Sequence, residues 1–357
     1  MSVELIEQLS NAFGISGFED EVASIAKSYL QSITKVKEDK MGNLYFSKEE
    51  EKNNSSKVKV LLDAHLDEVG FIVQAIQPNG MIEFLPVGGW VSHNVPAHPV
   101  IIRTETGQKI SGLTASIPPH FLSAKERHQV LQMDDILIDV GTSSKEETQK
   151  LGIQIGDPIV PDVQFKSMRE GKLFRGKAFD CRIGCACLLD TYKTFLAKNE
   201  SHNIQVEAVL TTQEEVGARG AQVVANQIDA DLAIVFEGCP ADDTFTPDYK
   251  IQSALNKGPM LRDFDVSMIT HPGFQGYALN LAQKHQIPVQ RSVRKGGGTN
   301  GEVYHIASKG IPTIVVGIPV RYAHTHYGYV AYQDYLAAKE LVLTLLAELT
   351  PEIYHAI

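Results

Sequence analysis

Hydrophobic residues recur at every third or fourth position in VELIEQLSNAF (3–13) and VASIAKSYL (22–30), with the Gly/Ser break GISGFED between them. That spacing predicts two amphipathic helices. KEDKMGNLYFSKE (37–49) has the centre of a hairpin, KEEEKNNSSK (48–57) is a polar loop, and KVKVLLDAHLDEVGFIVQAI (57–76) reads as a buried strand that runs on. From about residue 75 to 165 the texture changes. Short β-rich runs such as MIEFLPVGGW, HPVIIRT, QKISGLTASI and ILIDVG are broken by Gly, Pro and Asn at short intervals, the pattern of a small all-β barrel or sandwich.

Past residue 165 strands and helices alternate. KLFRGKAF, IQVEAVLTT, DLAIVFEG, PVQRSV and PTIVVGIP read as strands; CRIGCACLLDTYKTFLAK, ARGAQVVANQI, GYALNLAQKHQ, EVYHIASKG and DYLAAKELVLTLLAEL read as helices. Such alternation implies a largely parallel sheet covered on both faces. The expected architecture is a split α/β domain, residues 1–74 and 166–357, with a β-rich domain of residues 75–165 inserted.

With 43% hydrophobic and 21% charged residues among 357, the chain has enough apolar material for a substantial core, which excludes disordered and fibrous classes. A net charge of -10 without a local basic cluster excludes nucleic acid and anionic membranes as expected partners. The N-terminus lacks the basic start and apolar run of a signal peptide, and no stretch approaches ~18 consecutive apolar residues. Cys181, Cys185 and Cys187 crowd within seven positions, a poor disulfide framework, so a reducing cytoplasm is the expected location. Their C-x3-C-x-C spacing offers no matched pairs for zinc, and Cys185 and Cys187 read as helix core.

In an open α/β sheet ligands gather beyond the carboxyl ends of strands, and ionisable residues follow apolar runs at five places. They are His65 and Asp67, Asp180, the adjacent Glu214 and Glu215, Glu237, and His324. Singly, each has a bland reading; for Asp180 it is a helix cap. Together, two imidazoles and several carboxylates are the ligand inventory of a dinuclear hydrolytic site, suited to Zn2+, Co2+ or Mn2+. One of the paired glutamates would then bind metal and its neighbour act as general base. In AHLDE, strand alternation would put Asp67 on the same face as His65, where its carboxylate could orient the ring. No G-x-S-x-G elbow and no H-E-x-x-H helix occurs, which disfavours a serine hydrolase or mononuclear zincin.

LLDAHLDEVGF, GKAFDCRIG, TTQEEVGARGA, GGGTN and VGIPVRYAHTH occur in an order and spacing that resembles one family of dinuclear metallo-aminopeptidases, that of the glutamyl aminopeptidases and tetrahedral aminopeptidases. The likeness covers nearly the whole chain. It implies a phosphorylase/hydrolase-like catalytic domain with an inserted β-barrel dimerisation domain, and dimers that build to a dodecamer. By the same resemblance His65, Glu215, Glu237 and His324 are metal ligands and Asp180 bridges two divalent ions. Asp67 orients His65, and Glu214 is the base that activates a metal-bridging water. The implied substrates are short peptides with a free N-terminus.

The chain departs from the family pattern in three places: Cys181 stands where Asp or Asn is usual, Asn300 where Asp is usual, and Thr325 and His326 follow the ligand histidine where Ser and a residue other than His are more typical. Two rival readings share these residues. One is a dinuclear deacylase or amidohydrolase acting on small N-acyl substrates, the other a catalytically silent assembly protein. His120 and His326 are further candidates for a place near substrate, whereas Lys257, Arg262, Arg294 and Lys295 read first as solvated surface charges.

Overall fold

The computed structural model describes residues 2–47, 57–198 and 203–357, so the polar loop expected at 48–57 lies, apart from Lys57, outside the described residues. The chain opens with helices α1 (Ser2–Asn11) and α2 (Asp20–Leu30), the hairpin strands β1 (Lys35–Glu38) and β2 (Leu44–Ser47), and β3 (Val58–His65). Strands β4 (Gly70–Ile76), β5 (Ile82–Val87), β6 (Pro99–Arg103), β7 (Lys109–Ala115) and β8 (Leu137–Asp139), helix α3 (Lys145–Lys150) and β9 (Pro158–Pro161) follow. These six strands close a barrel in the order β4-β5-β8-β7-β6-β9, filled by Phe71, Val73, Phe84, Val100, Ile138 and Ile159.

The α/β part resumes with β10 (Lys166–Met168), β11 (Leu173–Gly176), α4 (Phe179–Ala197), β12 (Ile204–Thr211), α5 (Arg219–Ala225) and β13 (Leu232–Pro240). Next come β14 (Met260–Phe264), α6 (Pro272–Lys284), β15 (Gln290–Val293), α7 (Gly301–Tyr304), β16 (Thr313–Val320), β17 (Gly328–Ala331), α8 (Tyr332–Glu348) and α9 (Pro351–Ala356). Eight strands form the main sheet in the order β1-β2-β12-β3-β13-β16-β14-β15. Its centre, β12, β3, β13 and β16, is parallel throughout.

Side-chain alternation explains why both faces are covered. Val60, Leu62 and Ala64 of β3 join Ile234 and Phe236 of β13 under α1, α2, α4, α6 and α8. Leu61, Val235 and Val315 point the other way, into a smaller core with Val224 of α5 and Tyr304 of α7. A central strand with two buried faces must be apolar at nearly every position, which is what VKVLLDAH and TIVVGIPV supply. The expected doubly covered sheet with an inserted all-β barrel is therefore the observed architecture.

Two differences bear on the site. The apolar run 57–76 is not one strand: β3 stops at His65 and the chain enters the barrel at Gly70. A side chain at Gly70 would meet Ile15 Cγ2 at 2.3 Å and the Ile159 carbonyl oxygen at 2.5 Å, so the crossing is too tight for a Cβ. Secondly, β11 belongs not to the main sheet but to a separate three-stranded sheet, β10-β11-β17. Hydrophobicity shows that a strand is buried without showing which sheet buries it.

Candidate metal centre

Four parallel neighbours end at the same edge of the sheet, and each delivers a candidate side chain there. His65 is the last residue of β3, Glu214 and Glu215 sit in the turn after β12, Glu237 lies within β13, and His324 follows β16. Asp180 arrives from the other direction. It enters from β11 in the first turn of α4, where φ/ψ of −84°/103° is not helical and where it caps nothing. Gly238 makes the junction possible, because a Cβ there would meet the Phe179 carbonyl oxygen at 2.4 Å and Asp180 N at 2.9 Å.

All the predicted ligands converge. His65 Nε2 lies 3.3 Å from Asp180 Oδ1 and 3.4 Å from Glu237 Oε1. On the opposite side His324 Nε2 lies 3.3 Å from Asp180 Oδ2 and 3.4 Å from Glu215 Oε2. Asp180 thus turns one oxygen to each imidazole. Glu214 Oε2 stands 3.8 Å from His65 Nε2, beside the first group rather than within it.

Both imidazoles are oriented through their other nitrogen. Nδ1 of His65 is 3.1 Å from the Asp67 carbonyl oxygen and 3.3 Å from Asp67 Oδ1, and Nδ1 of His324 is 2.8 Å from the Gly89 carbonyl oxygen. With Nδ1–H donating to these acceptors, each Nε2 presents a lone pair to the site. The expected contact between Asp67 and His65 is present, but strand alternation is not its cause: β3 has ended, and the chain turns toward the barrel. Asp67 has a second role that the sequence did not disclose. Its carboxylate accepts from the backbone N–H of Glu214 (2.9 Å) and of Glu215 (3.1 Å) and from the Ser16 hydroxyl (2.6 Å).

Burial pushes the Glu215 carboxyl up to about 8, with the charge of Asp180 adding to the rise, and burial raises Glu214 well above its usual range. Asp180 is held below the usual carboxylate range although burial opposes this, because His324 and His65 both contact it. His324 rises to about 10, since burial is outweighed by Asp180 and Glu215. Glu215 Oε1 is buried without a hydrogen-bond partner. Crowded carboxylates, two imidazoles whose Nε2 atoms face them and an unpartnered buried oxygen fit divalent cations, which would displace the Nε2 protons and relieve the repulsion. Donor atoms of His65, Asp180 and Glu215 lie within 4.8 Å of one another, and so do those of His65, Cys181 and Glu237.

A support layer lies under His65. Asn300 Nδ2 donates to Asp63 Oδ2 (2.8 Å) and to Thr211 Oγ1 (2.7 Å), and the Tyr304 hydroxyl donates to Asp63 Oδ1 (2.9 Å). Burial pushes Asp63 up to about 7 in spite of these bonds. Asn300, a departure from the family pattern, therefore serves as a donor to a carboxylate rather than standing open to the site.

Beside the acids lies a cleft of about 560 Å³ bordered by Gly89, Gly217, Arg262, Arg294, Glu302 and His324. Two of the four cations taken as surface charges line it instead. Arg262 is buried against Asp265 at 2.8 Å, and the partly exposed Arg294 pairs with Asp242 at 2.9 Å, so each has a neighbouring carboxylate as its counter-charge. Lys257 and Lys295 are exposed, as expected. His120 is exposed in a barrel loop, and His326 is buried with its ring stacked on His98 at 4.1 Å.

Comparison with known proteins agrees with this geometry. The sequence model of a family described as M42 glutamyl aminopeptidase matches residues 42–341. Over 358 residues the chain is 35% identical to the putative aminopeptidase FrvX of Escherichia coli, covering 100% of this chain and 98% of that one. It is 31% identical to the glutamyl aminopeptidase of Lactococcus lactis, covering 97% and 96% of the two chains. A TET aminopeptidase from a marine sediment archaeon of the Thaumarchaeota superimposes with a TM-score of 0.94 at 38% identity, covering 99% of each chain. The TET1 peptidase of Pyrococcus horikoshii, described as assembling into a tetrahedron or a large octahedral shell, superimposes with a TM-score of 0.86 at 28% identity, covering 98% of this chain and 100% of that one. With candidate metal-binding side chains gathered at one sheet edge and these relatives along its whole length, the chain belongs to the M42 glutamyl aminopeptidase family of metal-dependent aminopeptidases.

Proposed function

We propose that the aminopeptidase works through a dinuclear centre. His65, Asp180 and Glu237 hold one divalent ion, and Asp180, Glu215 and His324 hold the other. The observation that carries this reading is the Asp180 carboxylate, whose two oxygens each lie 3.3 Å from a different imidazole. Zinc or cobalt suits the mixed imidazole and carboxylate donors, with manganese a third option. Ions bound there would polarise the scissile carbonyl and lower the pKa of the attacking water.

The protein's own groups do the rest. Glu214 takes the proton of the attacking water on its carboxylate and hands it to the leaving amine. Its raised proton affinity, caused by burial, suits a group that must hold a proton between two steps. The surrounding carboxylates attract the cationic N-terminus of a short peptide, and the backbone bonds from Glu214 and Glu215 to Asp67 keep base and ligand in fixed relation. Asp67 thereby acts on both halves of the chemistry, through the His65 ring and through the glutamate turn.

Glu214→Gln is the direct test. Turnover should fall at least ~100-fold with metal content unchanged, the scale of a lost general base. Near wild-type turnover in that variant would remove Glu214 from the mechanism. N-blocked aminoacyl anilides should resist hydrolysis while their free-amine counterparts are cleaved; the reverse preference would favour the deacylase reading.

We further propose that residues 75–165 act as a dimerisation domain on the split catalytic domain of residues 1–74 and 166–357, and that dimers build to a dodecamer. Shell assembly by an archaeal relative supports this. A cytoplasmic location is supported by four free, buried thiols.

A further inference from the structure

We propose that Cys181 supplies a sulfur donor to the ion held by His65 and Glu237, which makes that half of the centre selective for thiophilic zinc or cobalt over manganese. The inference rests on the two-ion reading above. Cys181 Sγ, a ring nitrogen of His65 and a carboxylate oxygen of Glu237 all lie within 4.8 Å of one another. Ligands of one tetrahedral ion, bound at about 2.0 to 2.3 Å, stand roughly 3.3 to 3.8 Å apart. His65 Nε2 and Glu237 Oε1 already meet this at 3.4 Å, and no two of the three donors have more than about 1.5 Å to close.

Local structure aims the sulfur at this position. Cys181 is fully buried on non-helical backbone (φ −115°, ψ 30°) directly after Asp180, so it follows the carboxylate that faces both imidazoles. Gly184, one helical turn on, leaves room for it: a Cβ there would approach Sγ to 2.4 Å. Its present partner is weak, a thiol hydrogen bond of 3.3 Å to the carbonyl oxygen of Phe236, the residue before Glu237. The remaining thiols are engaged elsewhere. Cys185 donates to the His65 carbonyl oxygen (2.9 Å), Cys187 faces the Tyr335 carbonyl oxygen (3.8 Å), and Cys239 accepts from Arg262 (3.4 Å).

Asp or Asn, usual at position 181 in the family that the sequence resembles, offers only oxygen or nitrogen. A thiolate prefers zinc and cobalt and discriminates against manganese. On binding, the S–H bond is exchanged for a sulfur–metal bond and the proton leaves to solvent, with no change in oxidation state.

The test is to load the metal-free full-length protein with cobalt(II), measure cobalt per chain, and record the near-ultraviolet spectrum. Wild type and Cys185→Ser should show a thiolate-to-cobalt charge-transfer band; Cys181→Ser and Cys181→Asp should bind cobalt without it. In zinc/manganese competition, Cys181→Asp should lose roughly tenfold or more of the zinc preference. Cobalt-loaded wild type without the band, or a band that survives in Cys181→Ser, overturns the sulfur ligand and leaves the two-ion reading standing. Wild type that binds no cobalt overturns both. An absent wild-type band is decisive without any variant, and a band that is present is assigned by either Cys181→Ser or Cys181→Asp, so one of the two failing to fold leaves the test intact.

Discussion

Asp67→Asn isolates what one buried carboxylate does for the whole centre. The aspartate is fully buried and receives the Glu214 N–H and the Glu215 N–H on different oxygens, Oδ1 at 2.9 Å and Oδ2 at 3.1 Å. Ser16 adds a third bond at 2.6 Å to Oδ2, and His65 Nδ1 lies 3.3 Å from Oδ1. An asparagine of the same shape has one oxygen. Whichever way its amide is turned, an NH2 group faces one of the two glutamate N–H groups, and that buried donor loses its acceptor. An orphaned donor costs about 1 to 3 kcal/mol, and the lost charge weakens the bonds that remain. At about 1.4 kcal/mol per factor of ten, a displaced glutamate turn should lower kcat roughly 5- to 140-fold. The assay is hydrolysis of a free-amine aminoacyl anilide by the metal-loaded enzyme, with urea unfolding in parallel. Ser16→Ala is the control: it removes one bond to the same carboxylate and should cost about 1 kcal/mol of stability with kcat within about fivefold. An Asp67→Asn enzyme with kcat within about threefold of wild type and an unshifted urea midpoint would refute the argument that Asp67 fixes the turn.

Gly238→Ala should cost at least about tenfold in kcat together with about 1 to 3 kcal/mol of stability, because its Cβ would press on the Phe179 carbonyl oxygen at 2.4 Å and on Asp180 Cα at 2.7 Å; metal analysis and thermal melting check it. Asn300→Asp sets a carboxyl against Asp63, which burial already pushes up to about 7. An acid with a raised folded pKa stabilises only below its unfolded value of about 4, so this variant should lose about 1 to 3 kcal/mol at pH 8 and regain it toward pH 5. Glu19 is raised to about 7 by burial and by the charge of Asp67, and two backbone donors, Gly17 N and Gln213 N, reach the same Oε1. Glu19→Gln keeps that oxygen, so the stability that wild type loses as pH rises from about 4.5 to 7 should be retained. The variant should gain about 1 to 2 kcal/mol at pH 8 and little at pH 5 in urea titrations, and equal stabilities at pH 8 would contradict this account.

The sequence exposed this site where chemistry follows directly on hydrophobic pattern. His65, the Glu214–Glu215 pair, Glu237 and His324 all come at or just after apolar runs, and parallel strands bring such positions to one edge. Asp180 was singled out by the same rule for the wrong reason, since its strand lies in another sheet and its route to the site runs through the start of α4. Less legible were the groups whose role depends on folded proximity. Ser16 meets Asp67 across 51 residues, Gly89 meets His324 across 235, and Asn300 meets Asp63 across 237; no local period encodes such pairs. Arg262 and Arg294 were misplaced for a related reason. A charged residue in a polar stretch reads as solvated until the carboxylates that neutralise it, Asp265 and Asp242, are seen beside it.

The Gly89 carbonyl that orients His324 lies in an exposed part of the loop between barrel strands β5 and β6. One of the two histidines of the candidate metal centre is thus steadied by a part of the molecule that would otherwise pass for an attachment. The barrel is not a cassette that could be trimmed away or exchanged for another without retuning the enzyme. Any strain placed on that loop has a path of a single hydrogen bond to the His324 ring.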